Sequence, residues 1–388
     1  MEVFIIKKEQ IRLLIVVVLF WFAQYIYIPF QTPYLTQMSV TSSMIGIVVG
    51  AYGISQLALR VPVGVIADMR PNHKLVIEIG MILAGLASLF RFLLPNAIGF
   101  LIGNILSGFA SATWISFMVY YMSLHDGFSQ RAATAKVIMA NNLGILLSFL
   151  TSSIFYNQIG MRNICLLSVL AGSIGFIIST KLDNTKKTLT QPHTIRELLS
   201  VGLDFKLILF SFLALIQQGI QMSATMSFTN QIIAAKGPSG FQVGVSSIIY
   251  MLSAVFFSKI ASLIKFNQKM NMLIVTSSFV LLAIYCFLIP LAPSIPVIFL
   301  LQIIPGVGTG ILFSLLTSEA MEGVSESKKS SAMGIFQAIY AIGMTLMPVL
   351  VGLLSNKFNL TLSFWGLSLI ALIGSITASI YYFKGKKS

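Results

Sequence analysis

The sequence predicts an all-helical membrane protein of about twelve crossing helices in two six-helix repeats, and three observations carry that expectation. Apolar residues make up 56% of the chain and charged residues 9%, and mean hydropathy is +0.91, more apolar surface than a soluble domain hides. Apolar runs long enough to cross roughly 30 Å of hydrocarbon recur along nearly the whole length. The second half also repeats the first at an offset of 198 or 199 residues, which pairs Gly46 with Gly244, Tyr52 with Tyr250, Ser55 with Ser253, Asn104 with Gln302, Gly108 with Gly306, Gly144 with Gly343 and Asn157 with Asn356.

In chain order the apolar segments fall near 12–35, 43–67, 75–94, 98–123, 132–156, 163–180, 205–232, 242–264, 271–290, 294–318, 331–355 and 361–383. The basic N-terminus followed by an apolar run lacks an A-x-A-like cleavage site and the run is too long for a signal peptide, so it reads as the first helix. Residues 181–204 form the one long polar connection and divide the chain into an N-terminal bundle (1–180), a linker (181–204) and a C-terminal bundle (205–388). Thr194-x-x-Glu197 ahead of Leu198 and Leu199 is a capping-box pattern that opens a short amphipathic helix on the cytoplasmic surface.

The net charge of +14 is explained by membrane topology rather than by nucleic acid. With the N-terminus inside, about 21 Lys and Arg fall on the cytoplasmic side and about four outside: Arg91, Arg162, Lys236 and Lys357. Both termini are then cytoplasmic. Cys165 and Cys286 lie within distant apolar segments and read as buried small hydrophobes, so no disulfide or metal is expected. No HExxH, G-x-S-x-G or P-loop occurs, and His73, His125 and His193 lie at cytoplasmic edges, so no enzyme activity and no cofactor are expected.

Amide side chains are costly in hydrocarbon and face a bundle interior. They occur as Gln24 and Gln31 in segment 1, Gln56 in 2, Asn104 in 4, Asn141 and Asn142 in 5, Gln217, Gln218, Gln221 and Asn230 in 7, Gln302 in 10 and Gln337 in 11. The interiors of segments 3, 6, 9 and 12 have none. Gln24, Tyr27, Gln31 and Tyr34 form one stripe at helical spacing, and Gln217, Gln221 and Thr225 another. Aromatic residues thicken the same regions: Tyr25, Trp114, Tyr120, Tyr121, Tyr250 and Tyr340. Apolar walls with a few convergent polar groups suit a small amphipathic ligand. Helix breakers stand at Pro29, Pro33, Pro62, Pro305 through Gly310, and Pro348.

Between segments 2 and 3 the chain reads Gly64-Val65-Ile66-Ala67-Asp68-Met69-Arg70-Pro71-Asn72-His73-Lys74, where Pro71 ends the helix. This stretch resembles the loop between helices 2 and 3 of the major facilitator superfamily, approximately G-x-x-x-D-R-x-G-R-R/K. Gly64 and Asp68 fall on its glycine and aspartate, Arg70 and Lys74 supply its basic character, and Met69 and Pro71 depart from it. The family's helix 4 motif is similar to Asn104-Ile105-Leu106-Ser107-Gly108-Phe109-Ala110-Ser111-Ala112, with Asn104 where the family has arginine. The resemblance implies a secondary transporter, active or facilitative, moving a small organic solute by alternating access. It also implies a multi-pass monomer in a bacterial cytoplasmic membrane.

In the resembled fold, helices 1, 4, 7 and 10 line the cavity, 2, 5, 8 and 11 form its sides, and 3, 6, 9 and 12 are peripheral. The substrate-binding residues so expected are Gln24, Tyr27, Gln31, Asn104, Trp114, Asn141, Gln217, Gln221, Gln302, Gln337 and Tyr340, and the gating residues are Gly64, Asp68, Arg70, Lys74, Arg60 and Glu78. Arg60, with Lys136 one of the deepest cations by position, reads either as a snorkelling or Glu78-paired member of the gate or as a counter-charge for an anionic or zwitterionic substrate. Lys259 takes nearly the same place as Arg60 in the second repeat. No carboxylate lies near a segment centre, which leaves facilitation, or protons carried through an edge group such as Glu78 or Asp68. The alternative reading is a flippase for a lipid or lipid-linked substrate, with Arg60 and Lys136 as its headgroup cations.

Overall fold

A chain in hydrocarbon must satisfy its backbone N–H and C=O groups within its own elements, which leaves helices or closed barrels. The computed structural model describes residues 2–69, 72–124, 130–184, 196–197, 200–237, 240–263, 268–325 and 328–384, and their side chains apart from 2–7, 67–69, 130–135, 262–263 and 384. All regular structure among the described residues is helical, and eleven helices are long and apolar enough to cross a membrane. They are α1 (Lys8–Gln37), α2 (Ser42–Met69), α3 (His73–Leu93), α4 (Ala97–Ser123), α5 (Gln130–Ser179), α6 (Phe205–Ala235), α7 (Gly240–Leu263), α8 (Gln268–Leu288), α9 (Ile295–Met321), α10 (Lys329–Lys357) and α11 (Leu360–Lys384). Helix α5 takes in the fifth and sixth apolar segments, and within it Gly160 leaves the helical path at φ +73° and ψ 169°. Arg70 and Pro71 lie outside the described residues, as do Thr194, Leu198 and Leu199 of the expected amphipathic helix.

Capping residues start the helices where sequence chemistry places them. Asn72 Oδ1 accepts from Leu75 N at 3.4 Å to open α3, Asn96 Oδ1 from Ile98 N and Gly99 N, both at 3.1 Å, to open α4, and Asp204 from Leu207 N at 2.8 Å to open α6. Interruptions are as legible. Pro29 has no N–H to give the carbonyl of Tyr25, and α1 is interrupted by a turn at Ile26 and Tyr27, where Ile26 N still donates to Phe22 O at 3.1 Å. Pro305 does the same one turn after Leu301, where α9 breaks at Gln302. Gln221–Phe228 of α6 and Gly308–Leu312 of α9 are π-helical, a conformation that collects at functional sites.

The chain forms two compact units. The first comprises Met1–Tyr27, Ser55–Gly202 and Gly323–Ala338, the second Ile28–Ile54, Leu203–Glu322 and Ile339–Ser388. In the first, α3 packs along α5, where Ser88 and Ser168 hydroxyls meet at 2.6 Å. In the second, α8 packs along α11, with Ser368 Oγ donating to Ala283 O at 2.8 Å. Helices α2 and α10 approach to backbone contact in both. In the second unit Gly46 faces Gly352, and a methyl on Gly46 would stand 3.1 Å from Gly352 Cα; in the first, one on Gly64 would stand 2.8 Å from Ser330 O. Glycine is required there because two backbones occupy the space of one side chain. Outward faces carry exposed Ile82, Leu86, Ile177, Phe256, Leu369 and Ile376, the composition of a surface solvated by lipid.

Candidate functional site

In the first unit the buried amides of α1 and α4 share a centre that sequence reasoning passed over. Arg91, in the last turn of α3, is completely buried. Its Nη2 donates to Tyr27 Oη at 2.9 Å, Asn104 Oδ1 at 2.8 Å and Ser107 Oγ at 2.8 Å, its Nη1 donates to Ser88 Oγ at 3.3 Å, and its carbon lies 3.7 Å from the Tyr27 ring centroid. Tyr27 Oη also donates to Asn104 Oδ1 at 3.2 Å. One turn earlier on α1, Gln24 Nε2 donates to Ser107 O at 2.9 Å and Ser111 Oγ at 3.0 Å, while its buried Oε1 accepts no hydrogen bond. Beside Gln24 stands an aromatic group in which Trp21 meets Tyr25 at 5.4 Å and Trp114 at 5.2 Å between centroids, and the buried Trp21 Nε1 has no acceptor. Half-buried Asn141 on α5 keeps a buried Oδ1 without a donor.

The second centre of this unit is Arg60 on α2, 3% exposed. Gln56, one turn earlier, accepts through Oε1 from both Nε at 3.2 Å and Nη2 at 2.7 Å, and Gln337 Oε1 of α10 accepts from Nη1. No carboxylate of the described residues lies within 4 Å of it. Glu78 instead faces Lys74 at 3.9 Å, so the expected Arg60–Glu78 pair is corrected: spacing of i,i+4 within α3 wins over reach to another helix. Lys136 and Lys259 are exposed.

In the second unit, the π-helical stretches of α6 and α9 meet through side chains. Gln217 Nε2 donates to Gln221 Oε1 at 3.2 Å and to Thr309 Oγ1 at 3.4 Å, Thr309 Oγ1 donates to Gln221 Oε1 at 3.3 Å, and the Tyr250 and Thr309 hydroxyls are 3.0 Å apart. Gln217 is 1% exposed and its Oε1 has no donor. Gln302 belongs to a neighbouring group: its Nε2 donates to Ser246 Oγ at 2.8 Å, its Oε1 accepts from Tyr285 Oη at 3.3 Å, and Tyr285 meets Thr229 at 3.0 Å. Gln31 is buried in this unit, and Tyr340 is buried with its ring 5.8 Å from that of Phe313. The break at Ile26 and Tyr27 therefore divides the expected stripe of segment 1, leaving Gln24 and Tyr27 in the first unit and Gln31 and Tyr34 in the second.

The profile of the Major Facilitator Superfamily matches residues 13–230 and 202–388. The chain belongs to that superfamily. An uncharacterized MFS-type transporter of Methanocaldococcus jannaschii, MJ1560, is 22% identical over 356 residues, 84% of this chain and 86% of that one. Among solved structures, a POT family transporter in complex with a thioalcohol-conjugated peptide superposes with a TM-score of 0.80 at 14% identity, covering 97% of this chain and 96% of that one. The nucleoside transporter NupG gives 0.75 at 15% over 97% and 99%. A bacterial homolog of the human lysosomal transporter Spinster, inward-facing and unoccupied, gives 0.70 at 15% over 98% and 97%. At these identities the structures share the fold. As a member of that superfamily the protein carries a small solute across a membrane.

Of this transporter's expected gating residues, Gly64 is buried against Ser330 and Gly334 of α10, and Lys74 donates to Thr180 O at 2.9 Å. The Asp68 side chain and Arg70 lie outside the described residues. Sequence reasoning missed Arg91, Trp21 and Thr309 as members of these centres. The run Gly306-Val307-Gly308-Thr309-Gly310 was the available signal for Thr309, since glycines this dense mark a departure from regular helix. The lipid-carrier alternative calls for an apolar opening beside a cation. The apolar groove between α3 and α5, about 290 Å³ and lined by Met81, Leu86, Val169 and Phe176 among others, has no charged residue in its wall.

Proposed function

We propose that this facilitator recognises its solute through the Gln217–Gln221–Thr309–Tyr250 group, and that the solute carries an O–H or N–H donor for Gln217. The observation that supports this is the buried Gln217 Oε1 with no donor, where two π-helical segments meet. A buried acceptor left unmatched costs about 1–3 kcal/mol, which a solute hydroxyl or amine recovers on binding. Gln24 Oε1, Asn141 Oδ1 and Trp21 Nε1 are further unmatched groups in the first unit, on or beside three of the expected positions. The solute moves by alternating access, with Gly64, Asp68, Arg70, Lys74 and Glu78 at the cytoplasmic gate.

The described span Lys136–Ser179 is 44 residues, about 66 Å as helix, against roughly 30 Å of hydrocarbon. Gly160 supplies the turn that makes it two crossings, and twelve crossings put both termini on one side, the cytoplasmic side by the distribution of Lys and Arg. Residues 1–180 and 205–388 then act as the two six-helix repeats of a monomer in a bacterial cytoplasmic membrane.

Uptake into vesicles of labelled solutes from several chemical classes, with and without a proton gradient, identifies the solute. Gln217→Ala or Gln221→Ala then weakens its apparent affinity roughly five- to a hundredfold with unchanged membrane insertion. Unchanged affinity in both variants, for a solute the parent carries, removes the group from the binding site.

A further inference from the structure

Arg60 combines a buried charge, neutral partners and unused donors. A guanidinium carries five N–H groups and keeps its charge throughout the physiological range. Three are engaged: Nε and one on Nη2 by Gln56 Oε1, and one on Nη1 by Gln337 Oε1. One N–H is left on each terminal nitrogen, two charged donors available to an oxyanion. Gln56 is itself 1% exposed and fixes the guanidinium plane by accepting two N–H groups on one oxygen.

Arg91, the other buried guanidinium, differs. Its donors meet three hydroxyls and an amide oxygen, and its face is covered by the Tyr27 ring, so it is enclosed by its own unit. Arg60 has amide oxygens on two sides only and lies on α2, beside the close contact with α10.

We infer that Arg60, oriented by Gln56 and Gln337, is the binding site for a carboxylate or phosphate group of the transported solute. This rests on the reading of the protein as a solute carrier and names the chemistry of its cargo. An arriving oxyanion takes the two unused N–H groups and neutralises the charge, while Gln56 keeps the fork aimed at it.

The test is anion-specific thermal stabilisation of the full-length protein in neutral detergent, since a ligand that binds only the folded state raises its melting temperature. Propionate and inorganic phosphate are the probes, with propionamide and glycerol as uncharged counterparts and chloride at matched ionic strength. The parent is expected to gain several degrees with one of the two anions, and which of them responds separates carboxylate from phosphate. Arg60→Gln is expected to lose the shift, and Arg60→Lys, with a point charge and no fork, to need at least about fivefold more anion.

Gln56→Glu separates binding from structure. A carboxylate at i−4 neutralises Arg60 and competes with the probe, so anion stabilisation disappears although the basal melting temperature holds or rises; a purely structural role moves the basal value and nothing else. Should Arg60→Gln fail to fold, the Gln56→Glu and Arg60→Lys pair decides. No anion-specific shift in the parent, or the same shift in Gln56→Glu, overturns the inference. Uptake of an uncharged solute in vesicles alongside that result leaves the carrier reading standing and only the anion site rejected.

Discussion

The tight pairing of α2 with α10 gives the sharpest test of how the protein moves. A methyl added at Gly64 stands 2.8 Å from Ser330 O and 3.3 Å from Gly334 Cα, and one added at Gly334 stands 2.8 Å from Arg60 O. Ordinary contact begins at 3.4 Å, so each alanine lacks 3.4 − 2.8 = 0.6 Å against backbone that no rotamer change relieves. Overpacking of this kind costs about 1–3 kcal/mol. The penalty falls only on the arrangement in which the two helices touch, so it shifts the population toward separated helices by roughly five- to 150-fold.

Ala341, completely buried on α10 with its carbonyl 2.8 Å from where a methyl on Gly53 of α2 would stand, reports that separation: Ala341→Cys is to be labelled with a water-soluble maleimide in membranes. Cys165 and Cys286 are buried and unpaired, so the native background is quiet. Labelling is expected to accelerate in Gly64→Ala and in Gly334→Ala in proportion to the separated fraction. Gly85→Ala is the control, because its methyl meets Gly172 at 3.8–3.9 Å and fits without movement. Labelling rates in Gly64→Ala equal to the parent's would refute the reasoning, showing that the contact yields locally and takes no part in a moving pair.

Arg91→Ala is expected to destabilise the protein by about 3–5 kcal/mol, because it strips a charged donor from Tyr27, Asn104 and Ser107 and leaves a hole between α1, α3 and α4. Arg91→Lys should fall between it and the parent in a detergent melting series, and equal melting points for all three would show that the guanidinium contributes nothing. Asp68→Asn should nearly abolish transport with insertion intact if the loop carboxylate locks the gate, and normal turnover removes that role. If uptake follows a proton gradient, Glu78→Gln combined with Asp68→Asn should uncouple it; gradient-driven uptake that survives both changes means that the proton travels by another group.

The apolar spans were legible because hydropathy is local, although twelve segments were read where eleven helices stand among the described residues, the fifth and sixth running together in α5; the caps Asn72, Asn96 and Asp204 went unread. Pairing was not read even within one helix: Lys74 and Glu78 stand at i,i+4, yet Glu78 was set against Arg60. Arg60 finds Gln337 across 277 positions of sequence, and no spacing rule points there. Arg91 was counted as an outside charge from its place at the end of a segment, but Ser88, Tyr27, Asn104 and Ser107 are drawn from three helices and draw the guanidinium inward. The stripe Gln24, Tyr27, Gln31, Tyr34 assumed an unbroken rod, and Pro29 breaks it. The π-helical stretches could not be read from periodicity, which assumes a constant number of residues per turn. Gln221 and Thr225 of the first stretch were nonetheless singled out, because polarity in hydrocarbon is conspicuous wherever it falls, whereas Thr309 of the second was not.

The absence of a carboxylate beside Arg60 among the described residues has an electrical side. A buried, uncompensated positive charge responds to membrane voltage at about 2.3 kcal/mol per 100 mV if it crosses the whole field. A conformational step that carries it through one fifth of that field therefore changes by about 0.5 kcal/mol per 100 mV, roughly a twofold change in an equilibrium. If the proposed anion binds at Arg60 it cancels the charge, and the loaded carrier would then turn over without regard to voltage while the empty one is driven by it. On that proposal energisation of the membrane would act on the return step, and potential alone would bias the direction of net movement without a proton being carried.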